Sequence, residues 1–149
     1  MFTSASMPLI VLLGHAHDAL EAELDARLRE EADLPGLSLA HSRNILRHLD
    51  ATECSRASQL VERSGISKQA LSLQIAQLEK AGYVSTGEDP NDRRARRVVL
   101  TPLGVHAQQT VRRVLHELDA EWQHRWGGDG WEAVRERLSA IIGSEDDDC

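Results

Sequence analysis

Apolar residues recur every three or four positions from Pro8 to Asp33, at Leu9, Leu13, Ala16, Leu20, Leu24 and Leu28. That spacing predicts a long amphipathic helix, stopped by Pro35-Gly36, with a stripe longer than a small core needs. Ser38 then caps a second helix to about Leu49, with Ile45, Leu46 and Leu49 inward, and Ser55 caps a third from Arg56 to Arg63, with Ala57, Leu60 and Val61 inward. Gly65 ends it. Ser67 opens a fourth helix whose inward stripe is Leu71, Ile75 and Leu78, closed by Gly82 in the left-handed role at a helix C-terminus. Two short helices joined through such a glycine turn read as a helix-turn-helix.

After Gly82 the period changes. Tyr83 to Glu88 and Arg96 to Leu100 have the valine and threonine content of short strands, and the turn-rich stretch Asp89 to Ala95 between them makes a β-hairpin. Thr101-Pro102 supplies the N-cap and first-turn residues of a fifth helix. Val105, Val111, Val114, Leu115, Leu118, Trp122 and Trp126 carry its stripe to Gly127-Gly128, and a last helix, Trp131 to Ile142, follows with Val134, Leu138 and Ile141. The expected fold class is mainly α with a small β-hairpin. A winged helix-turn-helix lobe over 37–101 lies between terminal helices over 7–36 and 102–143, and an acidic tail occupies 144–149.

Composition changes this picture little. A length of 149 residues with 41% hydrophobic and 28% charged residues is that of one globular domain. Aromatic residues at 3% supply too few rings for a base-stacking platform. Cys54 and Cys149 cannot build a disulfide framework or a zinc ribbon, so a cytoplasmic location is expected. The run Met7 to Leu13 imitates a secretory core, but the first Lys or Arg is Arg27, so a basic leader region is missing. Without 18 consecutive apolar residues, a membrane partner is not expected.

Charge changes it more. The net charge of −7 argues against a polyanionic partner, yet between Arg43 and Arg113 stand 12 Lys or Arg against 7 Asp or Glu, and outside that window 5 against 17. A basic centre between acidic ends focuses a positive field where the helix-turn-helix and hairpin lie.

The stretch Ile66-Ser67-Lys68-Gln69-Ala70-Leu71-Ser72, then Leu78-Glu79-Lys80-Ala81-Gly82-Tyr83-Val84, then Asp89-Pro90-Asn91-Asp92-Arg93-Arg94-Ala95-Arg96, and finally Leu100-Thr101-Pro102-Leu103-Gly104, resembles the MarR family of bacterial transcriptional regulators. The specific part covers about residues 55 to 104; the flanking helices agree in placement only. The resemblance implies one MarR-like domain over 1–149, a homodimer on a palindromic double-stranded DNA operator, the fourth helix in the major groove and the wing in the minor groove. It also implies that 7–36 and 102–143 are dimerisation helices. Effectors, small molecules or oxidants, would enter a crevice between those helices and the DNA-binding lobe, involving the first, second and fifth helices, with no contact residue assigned.

On a helical wheel, Gln69, Leu73, Ala76 and Lys80 oppose Leu71, Ile75 and Leu78, with Ser72 and Gln77 at the margins. Gln69 can pair with adenine edges, Leu73 can meet a thymine methyl, and Ser67 with Lys68 can hold a phosphate beside the N-terminal amides. At the hairpin, Arg93, Arg94, Arg96 and Arg97 crowd one tip, Arg97 being the one that can belong to the strand. The resemblance singles out Asp92 as the acid that steadies the wing and Arg94 as the arginine that enters the minor groove, where a narrow A·T-rich groove attracts it. Leu73-Gln74 departs from the family's usual polar-then-apolar order, which leaves base preference open.

The expected function is a sequence-specific regulator, a repressor of its own or neighbouring genes released by its effector. The alternative is a winged-helix protein-interaction module without operator binding. His15 with His17 and His41 with His48 lack the spacing that puts two imidazoles on one metal, and His106, His116 and His124 add none. Cys54 has only Arg56 nearby to lower its pKa, and Cys149 sits on an acidic tail. No nucleophile elbow, phosphate-cradling loop or paired catalytic carboxylate occurs, so neither an enzyme nor a cofactor or metal is expected.

Overall fold

Helix α1 spans Leu9–Arg29 and stops before the predicted Asp33. Its last bonds tighten to the three-residue spacing, with the Glu30 and Glu31 amides donating to Arg27 and Leu28, and the chain then turns Leu34 into the core. This is a computed structural model that describes residues 6–143; the acidic tail 144–149, with Cys149, lies outside the described residues. The chain divides into two compact units, Met1–Val114 and Leu115–Cys149.

In the first unit Ser38 caps helix α2, Leu39–Asn44, by accepting from the His41 amide at 3.2 Å. The predicted helix to Leu49 is interrupted at Ile45 and continues only as a 3-10 turn, Leu46–His48. Ser55 does not cap the third helix. With Arg56 it forms strand β1, and helix α3, Ala57–Ser64, is capped by the Gln59 side chain accepting from the Arg56 amide at 2.9 Å. Gly65, at φ +70°, ends α3, and Ser67 caps α4, Lys68–Lys80, by accepting from the Ala70 amide at 3.1 Å.

The end of α4 is a Schellman motif. Gly82 stands at φ +86°, its amide donates to Glu79, and the Tyr83 amide reaches back to Leu78 at 2.9 Å. The chain then enters strand β2, Val84–Asp89, and returns as β3, Asp92–Leu100, in an antiparallel sheet of order β1-β3-β2. The predicted seven-residue loop is therefore a tight turn at Pro90-Asn91, with the arginines on β3. The register jumps from Glu88 opposite Arg96 to Asp89 opposite Asp92, so Arg93, Arg94 and Ala95 have no strand partner.

Thr101 accepts from the Gly104 amide at 3.1 Å and opens helix α5, Pro102–Trp126. The core of this unit unites Leu34, Ile45, Leu46, Leu60, Leu71, Ile75, Leu78, Tyr83, Val84, Val98 and Ala107. Gln108 of α5 donates to the Leu46 and Leu49 carbonyls of the 3-10 turn that follows α2. In the second unit, the end of α5 and helix α6, Asp129–Ile142, carry stacked Trp122 and Trp126 with Trp131 tilted beside them. Asp119 there takes both oxygens to the Arg135 guanidinium at 2.9 and 3.1 Å.

Candidate nucleic-acid interface

The inward stripe of α4 is as expected: Leu71, Ile75 and Leu78 are buried. That packing turns Ser67, Lys68, Gln69, Ser72, Leu73 and Gln77 outward, all of them exposed. Leu73, 61% exposed, is the only large apolar side chain on that surface of α4. Gln77 is exposed but not unoccupied, since its Oε1 lies 2.9 Å from Nε2 of His41 on α2.

The wing is tied to α4 from its side. Glu79, near the end of that helix, accepts from the Thr86 amide at 3.0 Å and the Thr86 hydroxyl at 2.6 Å. The Thr86 hydroxyl, with help from its amide and the Arg96 charge, holds the Glu79 carboxyl below the usual carboxylate range. Arg96 donates to Thr86 Oγ1 at 2.9 Å and reaches Glu79 at 3.5 Å, so its guanidinium lies against the hairpin and α4.

The tip is organised by two aspartates. Asp92 accepts from the Arg94 amide at 3.0 Å, fixing the bulged turn. Asp89, its side chain only 4% exposed, accepts from the Asn91 amide at 2.9 Å and from Arg56 Nε at 2.7 Å, which pins the hairpin to β1. The Asn91 amide, followed by the Arg56 pair, pulls the Asp89 pKa down. Arg93 and Arg94 are exposed, and their guanidinium groups make no ion pair or hydrogen bond among the described residues. Two cations at the tip thus stay available to an outside anion, while Arg96 is held and Arg97 is half-buried within β3.

Sequence reasoning missed Asp89, Glu79 and His41 as organisers. Asp89 and Glu79 stand inside the quoted motifs, so the signal was present; His41 betrays itself only by standing three residues after Ser38. Cys54 is half-buried and borders a polar depression with Arg47, His48, Glu53 and Arg63. Burial and the Arg47 and Arg63 charges lower the His48 pKa. Among the described residues no three His, Cys, Asp or Glu side chains converge on a metal-sized space, and no helix is long and apolar enough to cross a membrane.

A helix-turn-helix whose second helix bares a polar face, followed by a hairpin with an arginine tip, defines a winged helix-turn-helix protein. Residues 36–95 match the model of the MarR family. A stretch of 47 residues is 47% identical to YcgE of Bacillus subtilis strain 168, an HTH-type transcriptional regulator, and covers 32% of this chain and 29% of that relative, under a third of its length. The fold is similar to the reduced form of MarR from E. coli, with a TM-score of 0.80 at 18% identity over 91% of this chain and 97% of that one. It is also similar to BpsR of Bordetella bronchiseptica, whose DNA binding is regulated by 6-hydroxynicotinic acid, with a TM-score of 0.71 at 18% identity over 94% and 96% of the two chains. Over residues 36–95 the chain thus matches the MarR family, and its fold is that of MarR from E. coli.

Proposed function

We propose that this chain regulates transcription by binding duplex DNA as a homodimer, with α4 in the major groove and the wing over the adjacent minor groove of each half of a palindromic operator. The observation that carries the reading is the pairing of an exposed polar face on α4 with the unengaged guanidinium groups of Arg93 and Arg94, both in the basic part of an acidic chain. Gln69, Ser72, Leu73 and Gln77 contact bases; Ser67 and Lys68 hold a phosphate at the start of α4; Arg93 and Arg94 meet the minor groove and its phosphates, with Asp92 holding their turn and Arg96 at the wing's flank.

Residues 37–101 are the reading lobe, and 7–36 with 102–143 are the helices that pair two copies within one functional domain. The dimer is supported by open apolar side chains: Leu9, Ile10 and Val11 on α1, and Val134, Ile141 and Ile142 on α6. The regulator acts in the cytoplasm as a repressor of its own or neighbouring genes. A small molecule or oxidant releases it by changing the spacing of the two lobes; BpsR offers the precedent of a small-molecule regulator on this fold.

The test is selection by the full-length purified protein from a pool of randomised duplexes at fixed salt. Enrichment of a palindrome is the expected result. A chain that enriches no duplex above the background of a charge-matched control protein is a protein-contact module, and the proposal fails.

A further inference from the structure

Beneath the proposed reading face, α2 presents a row of side chains to α4. His41, 7% exposed, completes the cap of α2: its Nδ1 lies 3.2 Å from the Ser38 amide, and its Nε2 lies 2.9 Å from Gln77 Oε1. One turn later Asn44, also buried, donates through Nδ2 to Gln74 Oε1 at 3.2 Å. Gln74 and Gln77 of α4 therefore turn their oxygens inward to donors on α2.

For Gln77 this polarity is dictated by the backbone. An amide N–H can only donate, so the Ser38 bond requires a lone pair on His41 Nδ1. A single imidazole proton must then sit on Nε2, and the atom of Gln77 that faces it must be the oxygen. The ambiguity of amide orientation is removed by this chain of donors. The Gln77 NH2 group is left pointing away from His41, on an exposed side chain, and donates to nothing among the described residues.

We infer that His41 is a specificity-determining positioning residue: by fixing the Gln77 amide it makes this position of α4 a donor-only reader that selects guanine. The inference rests on the proposed DNA reading. In the major groove guanine offers two acceptors, N7 and O6, whereas adenine and cytosine place a donor at the edge and thymine pairs its acceptor with a methyl group. Gln69 differs in kind. It is exposed, with no partner among the described residues, and can turn its amide to give and accept at adenine.

The test compares base preferences of full-length variants selected from the same randomised duplex pool, with thermal midpoints measured alongside. Gln77→Ala marks the operator position that this side chain reads, and the parent prefers guanine there. His41→Gln keeps an acceptor for Ser38 and a donor for Gln77, so the guanine preference persists. His41→Glu keeps the acceptor of a capping box but offers Gln77 only a second acceptor, which draws the NH2 inward and turns Oε1 outward. The guanine preference then falls about tenfold in favour of a base with an edge donor, at that position alone.

Should His41→Glu lose its folded transition, Gln77→Glu decides the matter, because its carboxylate accepts from His41 and still presents an acceptor outward. It too loses guanine. A parent preference other than guanine at the marked position, or an unchanged preference in the folded His41→Glu or Gln77→Glu protein, overturns the inference and leaves His41 a plain helix cap. No enriched duplex for the parent overturns the DNA reading itself, and this inference with it.

Discussion

The winged lobe and the terminal helices carry the same amphipathic periodicity and satisfy it in different ways. Between Leu34 and Ala107 most apolar positions close on one another, and Leu60, Leu78, Tyr83 and Val98 have no accessible surface. Helix α6 has no buried residue, and its Ile142 is 70% exposed, as Ile10 at the start of α1 is 80% exposed. A stripe states that a face is made to be covered; it does not say by which chain. The lobe answers from within the chain. The first turns of α1 and the whole of α6 leave theirs open, and on the proposed reading a second copy covers them.

The largest effects should come from breaking the lobe. A Cβ on Gly104 would stand 2.0 Å from the Tyr83 carbonyl oxygen and 2.9 Å from Leu100 Cδ2. Backbone on one side leaves no way to yield, so Gly104→Ala should lose about 3 kcal/mol or more in denaturant unfolding. Leu78→Ala should lose about 2–5 kcal/mol, at every protein concentration. Ile10→Ser and Ile142→Ser remove open apolar side chains instead. Their unfolding should shift only in the part that depends on protein concentration, and sedimentation should show weaker self-association. Unfolding of the Ile142→Ser protein that matches Leu78→Ala at all concentrations would erase the contrast between the two regions.

Next come effects on the proposed reading surface, with folding untouched. Gln69→Ala should cost roughly 1–3 kcal/mol at particular base pairs and relax preference there. Arg94→Ala should weaken all duplexes alike and lower the salt slope by about one per half-site. Titrations at several salt concentrations separate the two; identical salt slopes for the parent and Arg94→Ala would remove this arginine from the interface.

Acid should loosen the wing. The Asp89 and Glu79 pKa values are depressed, so the unfolded chain takes up their protons first as pH falls. The stability they contribute is complete above the ordinary carboxylate pKa and drains away below about pH 4. Asp89→Asn should lower stability at neutral pH and flatten this acid dependence, read from urea midpoints across the range. The smallest effect belongs to the exposed pair of Asp119 and Arg135 on the second unit. Breaking it by Arg135→Ala should change unfolding by under about 1 kcal/mol, less at high salt.

Most of the lobe was legible because its signals are local. Ser38, Gly65, Ser67, Gly82 and Thr101-Pro102 each mark a helix end by their own backbone and side-chain chemistry, and each does so in the structure. What failed to show was set by partners distant in sequence. Ser55 looks like a cap until Val98 is known to lie opposite it, and residues 89–95 look like a loop until β3 is seen to begin at Asp92. Likewise α1 should have run to Asp33 on periodicity, but Asp33 is drawn to His106, and Glu31 to Arg113, on α5. On the candidate site, exposure of the outer face of α4 followed from its wheel. The engagement of Gln77 by His41 and of Arg96 by Thr86 and Glu79 did not, since each depends on another element.

The central claim is that two copies of the chain present their lobes to the two halves of one duplex. The most direct measurement is footprinting of the full-length protein on an enriched duplex, with the number of chains per duplex counted at saturation. The account predicts two chains and two protected half-sites roughly 34–36 Å apart, one helical turn of DNA between their centres. One chain per duplex, or a single protected patch without two-fold symmetry, would contradict it.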